Sequence, residues 1–207
     1  MADAEAAGRR AAAWPLALED VGATAAFVAE VVERFGAVHT LVHAAGLYVD
    51  QLHMSRVTPE QYRRHLLGEA SGFFNIVHPL LPSLRAQRGP IVAVSTMATR
   101  RFPIKDGLSS SPKGAVEALV RALAAEEGRF GVRANCVGPG VLSDGMAGLF
   151  AENGEMDEQA LTAARSRVPL QRFGTAGDIA EAVCFLASPR SSYITGQMLD
   201  VDGGYSV

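Results

Sequence analysis

Lys113 closes the stretch Ser109-Ser-Ser-Pro-Lys113 and is one of only two lysines among 19 basic residues, the other being Lys105. Its ammonium is a compact three-donor charge. Ser109 offers a hydroxyl, a far weaker acid than a phenol of pKa about 10. Thr96 carries a second hydroxyl that can donate a hydrogen bond. Glu69 and Asp144 are carboxylates. If they met Lys113 in one cleft, unlike titratable groups would divide acid and base roles between them. The plainer alternative makes both acids surface or helix-face charges. Tyr48 could lend a phenol to the same pocket or simply cover a loop. His43 could act as a base, although a satisfied core histidine is the more ordinary fate of such a residue.

These groups need a frame, and the frame reads as alternating strands and helices, the pattern of a parallel sheet covered on both faces. Residues 12–18 (AAWPLAL) suggest a short strand. Asp20 is a candidate N-cap for VGATAAFVAEVVERFG, which stops at Gly36. Residues 39–46 (HTLVHAAG) form a buried strand running into a glycine turn. Thr58-Pro59-Glu60 opens a helix with a cap, a first-turn proline and an acid. Pro79 and Pro82 are expected to end or kink it. Then come a strand over 90–96 (PIVAVST), a helix after Pro112, a strand over 133–140 (RANCVGPG), a helix over 175–188 capped by Thr175, and a last strand in YITGQMLDVDGG. Pro112 fits only if its helix starts within the preceding turn. Residues 141–168 have the length of a lid or binding loop.

With 207 residues, 48% of them apolar and 20% charged, the chain suits one domain, residues 1–207, with a sizeable core. A net charge of −3 argues against nucleic acid or an anionic membrane as partner. No apolar run reaches the roughly 18–20 residues of a membrane span. The start, MADAEAAGRRAAAW, lacks the apolar core of a signal peptide. Cys136 and Cys184 read as buried thiols of a reducing cytoplasm.

Taken in order, AAWPLAL-ED, LVHAAG, IVAVST, the Ser109–Lys113 block, RANCVGPG, VPLQRFGTAGDIAEAVCFLAS and YITGQMLDVDGG resemble the short-chain dehydrogenase/reductase family over essentially the whole chain. The resemblance implies an α/β fold, a Rossmann-like doubly wound parallel sheet. It also implies hydride transfer between NAD or NADP and a small-molecule carbonyl or alcohol, and assembly as a homodimer or homotetramer. Residues 58–80 and 115–128 are the helices that pack between copies in the family.

By position, Lys113 matches the family lysine, which lowers the pKa of a catalytic tyrosine and holds the nicotinamide ribose. Ser109 stands where that tyrosine should be. Thr96 matches the serine that polarises the substrate oxygen, and Glu69 the asparagine of the proton relay. His43, Ala45, Gly46, Lys113, Pro139, Gly140 and Val141 match cofactor-binding positions, and Asp144 matches a threonine set against the carboxamide. The family's adenosine-side acid aligns with Ala17.

The family's glycine-rich loop, with the first strand, first helix and second strand, is not found. The chain is therefore expected to be incomplete at its N-terminus, with residues 12–18 and the edge of the 39–46 strand left unpaired. If Glu69 faces Lys113 the two should pair and occupy the ammonium. The 2,4-dienoyl-CoA reductases resemble this site in having Ser-x-x-x-Lys, but their upstream tyrosine aligns with Ala98 here. The resulting expectation is an oxidoreductase scaffold with weak cofactor binding. The alternatives are a non-redox isomerase or dehydratase on the same scaffold, or an inactive partner in an oligomer.

Overall fold

The computed structural model describes residues 2–144 and 158–207. Its sheet has four parallel strands in chain order, β1 (Leu41–His43), β2 (Pro90–Val94), β3 (Arg133–Pro139) and β4 (Met198–Val201). Every neighbouring pair is parallel, so each connection crosses over a face of the sheet. The helices are α1 (Ala2–Ala6), α2 (Val21–Phe35), α3 (Pro59–Leu66), α4 (Gly72–Gln87), α5 (Gly107–Glu127), α6 (Glu158–Ser166) and α7 (Ala176–Ala187).

Alternation along the strands sorts the core into two layers. Ile91 and Ala93 of β2, with Ala134 and Cys136 of β3, face α2, α4 and α5 through Val28, Phe73, Val77, Leu84, Val116 and Val120. Val92 and Val137 face the other way, against Ile179 and Leu186 of α7. Helices therefore cover both faces, the doubly wound arrangement the pattern implied.

The local end signals hold. The Asp20 side chain accepts from Ala23 N, and Gly36 closes α2 with φ of 86°. Thr58 and Gln61 form a reciprocal capping box with Pro59 at the first helical position, and Thr175 does the same with Asp178.

Five expectations are corrected. The strand expected to be buried over 39–46 spans only Leu41–His43, with Leu41 half-buried and Val42 exposed, because β1 pairs on one side alone. Residues 12–18 form no strand, because no strand lies beside them to complete a ladder. Side chains hold this segment instead. Asn75 Nδ2 donates to Leu18 O at 2.8 Å, and Trp14 packs edge-on against Phe27 while donating to Glu30 at 2.7 Å. Pro79 and Pro82 lie inside α4 without ending it. Each interior proline costs about 3 kcal/mol, and burial of Phe73, Ile76, Val77, Leu80 and Leu84 on one stripe, at about 1.5–3 kcal/mol each, outweighs that. Pro112 is likewise interior, since α5 begins at Gly107, earlier than expected. Cys136 is buried but Cys184 is exposed, because it falls off the stripe of α7 that meets the sheet.

Candidate active site at the strand ends

β1, β2 and β3 end side by side, and their C-terminal ends carry residues 43–46, Ser95 with Thr96, and 139–141. In open parallel sheets this edge is where ligands bind. The helix that follows β2 brings Lys113 across to it.

Between α3 and α4 the helix widens into one π-turn over Leu67–Ser71. The wider turn lets Glu69 and Ala70 both point inward, and Glu69 is only 3% exposed. Glu69 Oε1 accepts from Leu47 N at 2.9 Å. Its Oε2 lies 2.8 Å from Lys113 Nζ, an ion pair whose angles fall outside hydrogen-bond alignment. Lys113 also donates to Val94 O at 3.1 Å and to Ala45 O at 3.4 Å. A Cβ at Gly46 would lie 3.2 Å from Glu69 Oε1 and 3.7 Å from Lys113 Nζ, so the glycine lets the β1 turn lie close over this pair. Glu69, Lys113, Ala45 and Gly46 thus meet at one point. The conditional pairing of Glu69 with Lys113 is realised.

Ser109 lies one helical turn before Lys113, so the two share a face of α5. Its neighbours Ser110 and Ser111 turn their hydroxyls back onto Asp106 O and Gly107 O. Thr96 begins the short 3₁₀ turn Met97–Thr99, and its Oγ1 accepts from Ala98 N at 3.2 Å. That bond uses a lone pair and leaves the hydroxyl proton to be donated elsewhere.

His43 is 4% exposed and edge-on to Phe73, with ring centroids 5.1 Å apart. Burial first, then the Lys113 charge, pushes its pKa down to about 4, against the opposing pull of Glu69. Its ring is neutral near pH 7 and sits in the core, but its Nε2 is buried without a hydrogen-bond partner, so it is not the satisfied core histidine expected.

Pro139, Gly140 and Val141 continue from β3 beside β4. Gly140 N donates to Val201 O at 3.1 Å, and Val141 O accepts from Gly174 N at 3.0 Å. Asp144 does not serve the cleft as an acid. Both its oxygens accept from Ala176 N at 3.0 Å, so it caps α7. The cluster of Glu69, Asp144 and Lys113 on which a non-redox reading depends therefore reduces to the Glu69–Lys113 pair. Of the expected lid over 141–168, residues 145–157 lie outside the described residues.

Two groups escaped the sequence reading. Asp106 precedes α5 with its Oδ2 buried and unpartnered, and burial raises its pKa to about 6. Glu117 is 6% exposed one turn beyond Lys113 and accepts from Ser95 Oγ at 2.6 Å and Thr99 Oγ1 at 2.7 Å. An acid at the cap position and an acid at i+4 from a lysine are visible in the sequence, but their burial is not.

Comparison with known proteins bears on the whole chain. A family model described as enoyl-(acyl carrier protein) reductase matches residues 2–206. The peroxisomal 2,4-dienoyl-CoA reductase of Saccharomyces cerevisiae is 34% identical over 180 residues, 86% of this chain and 59% of that protein. The 3-oxoacyl-[acyl-carrier-protein] reductase FabG of Staphylococcus aureus is 33% identical over 186 residues, 89% of this chain and 73% of that protein. The chain thus spans less than two thirds of the first relative's length. An NAD⁺-bound xylitol dehydrogenase superposes with a TM-score of 0.92 over 98% of this chain and 82% of its own, at 24% identity, a likeness of fold.

Proposed function

The chain belongs to the short-chain dehydrogenase/reductase family, and from that premise we propose that it is an NAD(P)-dependent oxidoreductase of small carbonyl or alcohol substrates whose cofactor grip and proton transfer are both weakened. NAD or NADP supplies or takes the hydride when bound. The residues at the strand ends suit the place of such a group, but the ammonium that should hold its ribose is already engaged.

One observation carries this reading. Lys113 Nζ donates to Val94 O and Ala45 O and is ion-paired with the buried Glu69 carboxylate at 2.8 Å. A ribose hydroxyl has to share the ammonium with these partners, and drawing it away from Glu69 would strand a buried carboxylate. Ser109 compounds the loss, because its hydroxyl is shorter than a tyrosine by a whole ring and a far weaker acid. General acid catalysis is worth about 10²–10⁴-fold. Thr96 keeps its role, since its proton remains available to a substrate oxygen.

Assembly as a homodimer or homotetramer belongs to the same proposal. Leu67 and Phe74, 40% and 46% exposed, lie on the helical stretch that the family uses between copies. A cytoplasmic location is proposed with it. The free thiols fit a reducing compartment, and among the described residues no helix is long and apolar enough to cross a membrane.

Reduction of a panel of carbonyl compounds by NADPH and NADH, followed by loss of the reduced nicotinamide, tests the proposal. We expect turnover far below the common enzymatic value of about 10 s⁻¹, rising by about 10²-fold or more in Ser109→Tyr/Glu69→Asn. Wild-type turnover at the common value contradicts the weakened site. No nicotinamide-dependent reaction in either protein contradicts the oxidoreductase reading.

A further inference from the structure

Glu117 takes no part in the site described above, yet its bonds reach the turn that carries Thr96. We propose that Glu117 is a positioning residue that clamps the end of β2 so that the Thr96 hydroxyl faces the substrate oxygen. The proposal rests on the reading of Thr96 as the group that meets that oxygen.

Lys113 and Glu117 are one turn apart on α5, so they leave the helix on the same side. They meet consecutive residues at the end of β2: Lys113 donates to Val94 O, and Glu117 accepts from Ser95 Oγ at 2.6 Å. The same carboxylate oxygen also accepts from Thr99 Oγ1 at 2.7 Å. Ser95 precedes Thr96 and Thr99 is the last residue of the short turn, so one carboxylate oxygen ties down both ends of the segment that carries Thr96.

Bonds from hydroxyls to a buried carboxylate are short and strong. Ser95 is 6% exposed, which keeps water from competing. Within the clamped turn the Ala98 amide faces Thr96 Oγ1 at 3.2 Å, so the orientation of the hydroxyl follows from the clamp. Ser95 N also donates to Val137 O at 2.8 Å, extending the sheet up to the turn. A carboxylate is required only as an acceptor. Both bonds fall on one oxygen, and a glutamine amide oxygen can accept both.

The test compares wild type, Glu117→Gln, Glu117→Met and Ser95→Ala/Thr99→Val in two measurements. Amide exchange at Ala98 and Thr99 reads the clamp without any turnover. NADPH-dependent carbonyl reduction, with the NADPH dissociation constant measured alongside, reads what the clamp serves. We expect exchange in Glu117→Met to quicken about tenfold or more. We expect its kcat to fall about as far while the cofactor constant holds. Ser95→Ala/Thr99→Val should match it, and adding Glu117→Met to that pair should change nothing further. Glu117→Gln should stay within about threefold of wild type, since it keeps the acceptor.

Unchanged exchange in Glu117→Met overturns the clamp. Quickened exchange with an unchanged kcat, in a wild type that does turn over, overturns the positioning role. A wild type that reduces nothing fails as its own control, so the oxidoreductase reading falls first and is told apart from the clamp by the exchange data.

Discussion

In the proposed reading, the Glu69–Lys113 pair limits the grip on the cofactor. Replacing Glu69 by asparagine removes the carboxylate that holds the ammonium and draws the shorter side chain back from it. NADPH affinity should then rise about tenfold, the worth of one charge-assisted contact, in a fluorescence titration. Lys113→Met should abolish that gain when added to Glu69→Asn. Any gain that survives would mean that Glu69 acts on the cofactor by another route.

Two buried groups make opposite contributions to the pH dependence of stability. His43 has a folded pKa of about 4 against an ordinary 6.5. The unfolded chain therefore binds the extra proton first, and stability is lost as pH falls from about 6.5 to 4. Asp106 has a folded pKa of about 6 against an ordinary 3.8. Its folded form holds the proton longer, so its contribution is favourable below about 3.8 and is lost as pH rises through 6. Each shift is worth about 3 kcal/mol at most, so the two nearly cancel between pH 4 and 6. Asp106→Asn should therefore raise the unfolding temperature at pH 7.5 and give no gain at pH 4. A gain of equal size at both values would show that the Asp106 charge is not the cause.

Among the elements, α4 shows tertiary packing overriding a local rule. Pro82 is exposed on a helix whose opposite stripe is fully buried. Pro82→Ala should restore a backbone bond and stabilise the protein by about 1–3 kcal/mol in urea unfolding. Phe73→Ala, on the buried stripe, should cost about 3–5 kcal/mol. A destabilising Pro82→Ala would mean that the proline is needed for the course of the helix.

Legibility followed the range of the interactions. The Asp20, Thr58 and Thr175 caps and the Gly36 stop were readable because each is settled within four residues. β2 and β3 were readable because buried parallel strands are continuous apolar runs, whereas β1, which read as buried, exposes Val42 at the edge of the sheet. Residues 12–18 read as a strand and are not one, because a strand depends on its neighbour across space. Asp144 could be numbered against a family position, yet its bond to Ala176, 32 residues away, could not be foreseen. The meeting of Glu69 and Lys113 is only conditional in the sequence, since the π-turn at Leu67–Ser71 that turns the acid inward has no local signature there.

At the scale of the whole molecule, the sheet ends in an unprotected edge among the described residues. β1 pairs with β2 alone, and Val42 is 44% exposed. A largely apolar cavity of about 300 Å³ separates this edge from residues 16–18, lined in part by Leu16, Leu18, Phe27 and Leu41. Such an edge invites pairing with other chains. Val42→Lys should reduce concentration-dependent light scattering while changing stability by no more than about 0.5 kcal/mol. Unaltered scattering would place self-association elsewhere, with the exposed Leu67 and Phe74 of the helical face as the next surface to change.

In the proposed reading, this scaffold keeps the place of a dinucleotide while Glu69 withholds the lysine that should grip it. Titration of the 207-residue chain with NADPH, side by side with Glu69→Asn, tests it most directly. The claim requires weak wild-type binding, with a dissociation constant on the order of a millimolar, and about tenfold tighter binding in the variant. Saturable micromolar binding by the wild type, unchanged by Glu69→Asn, would contradict it.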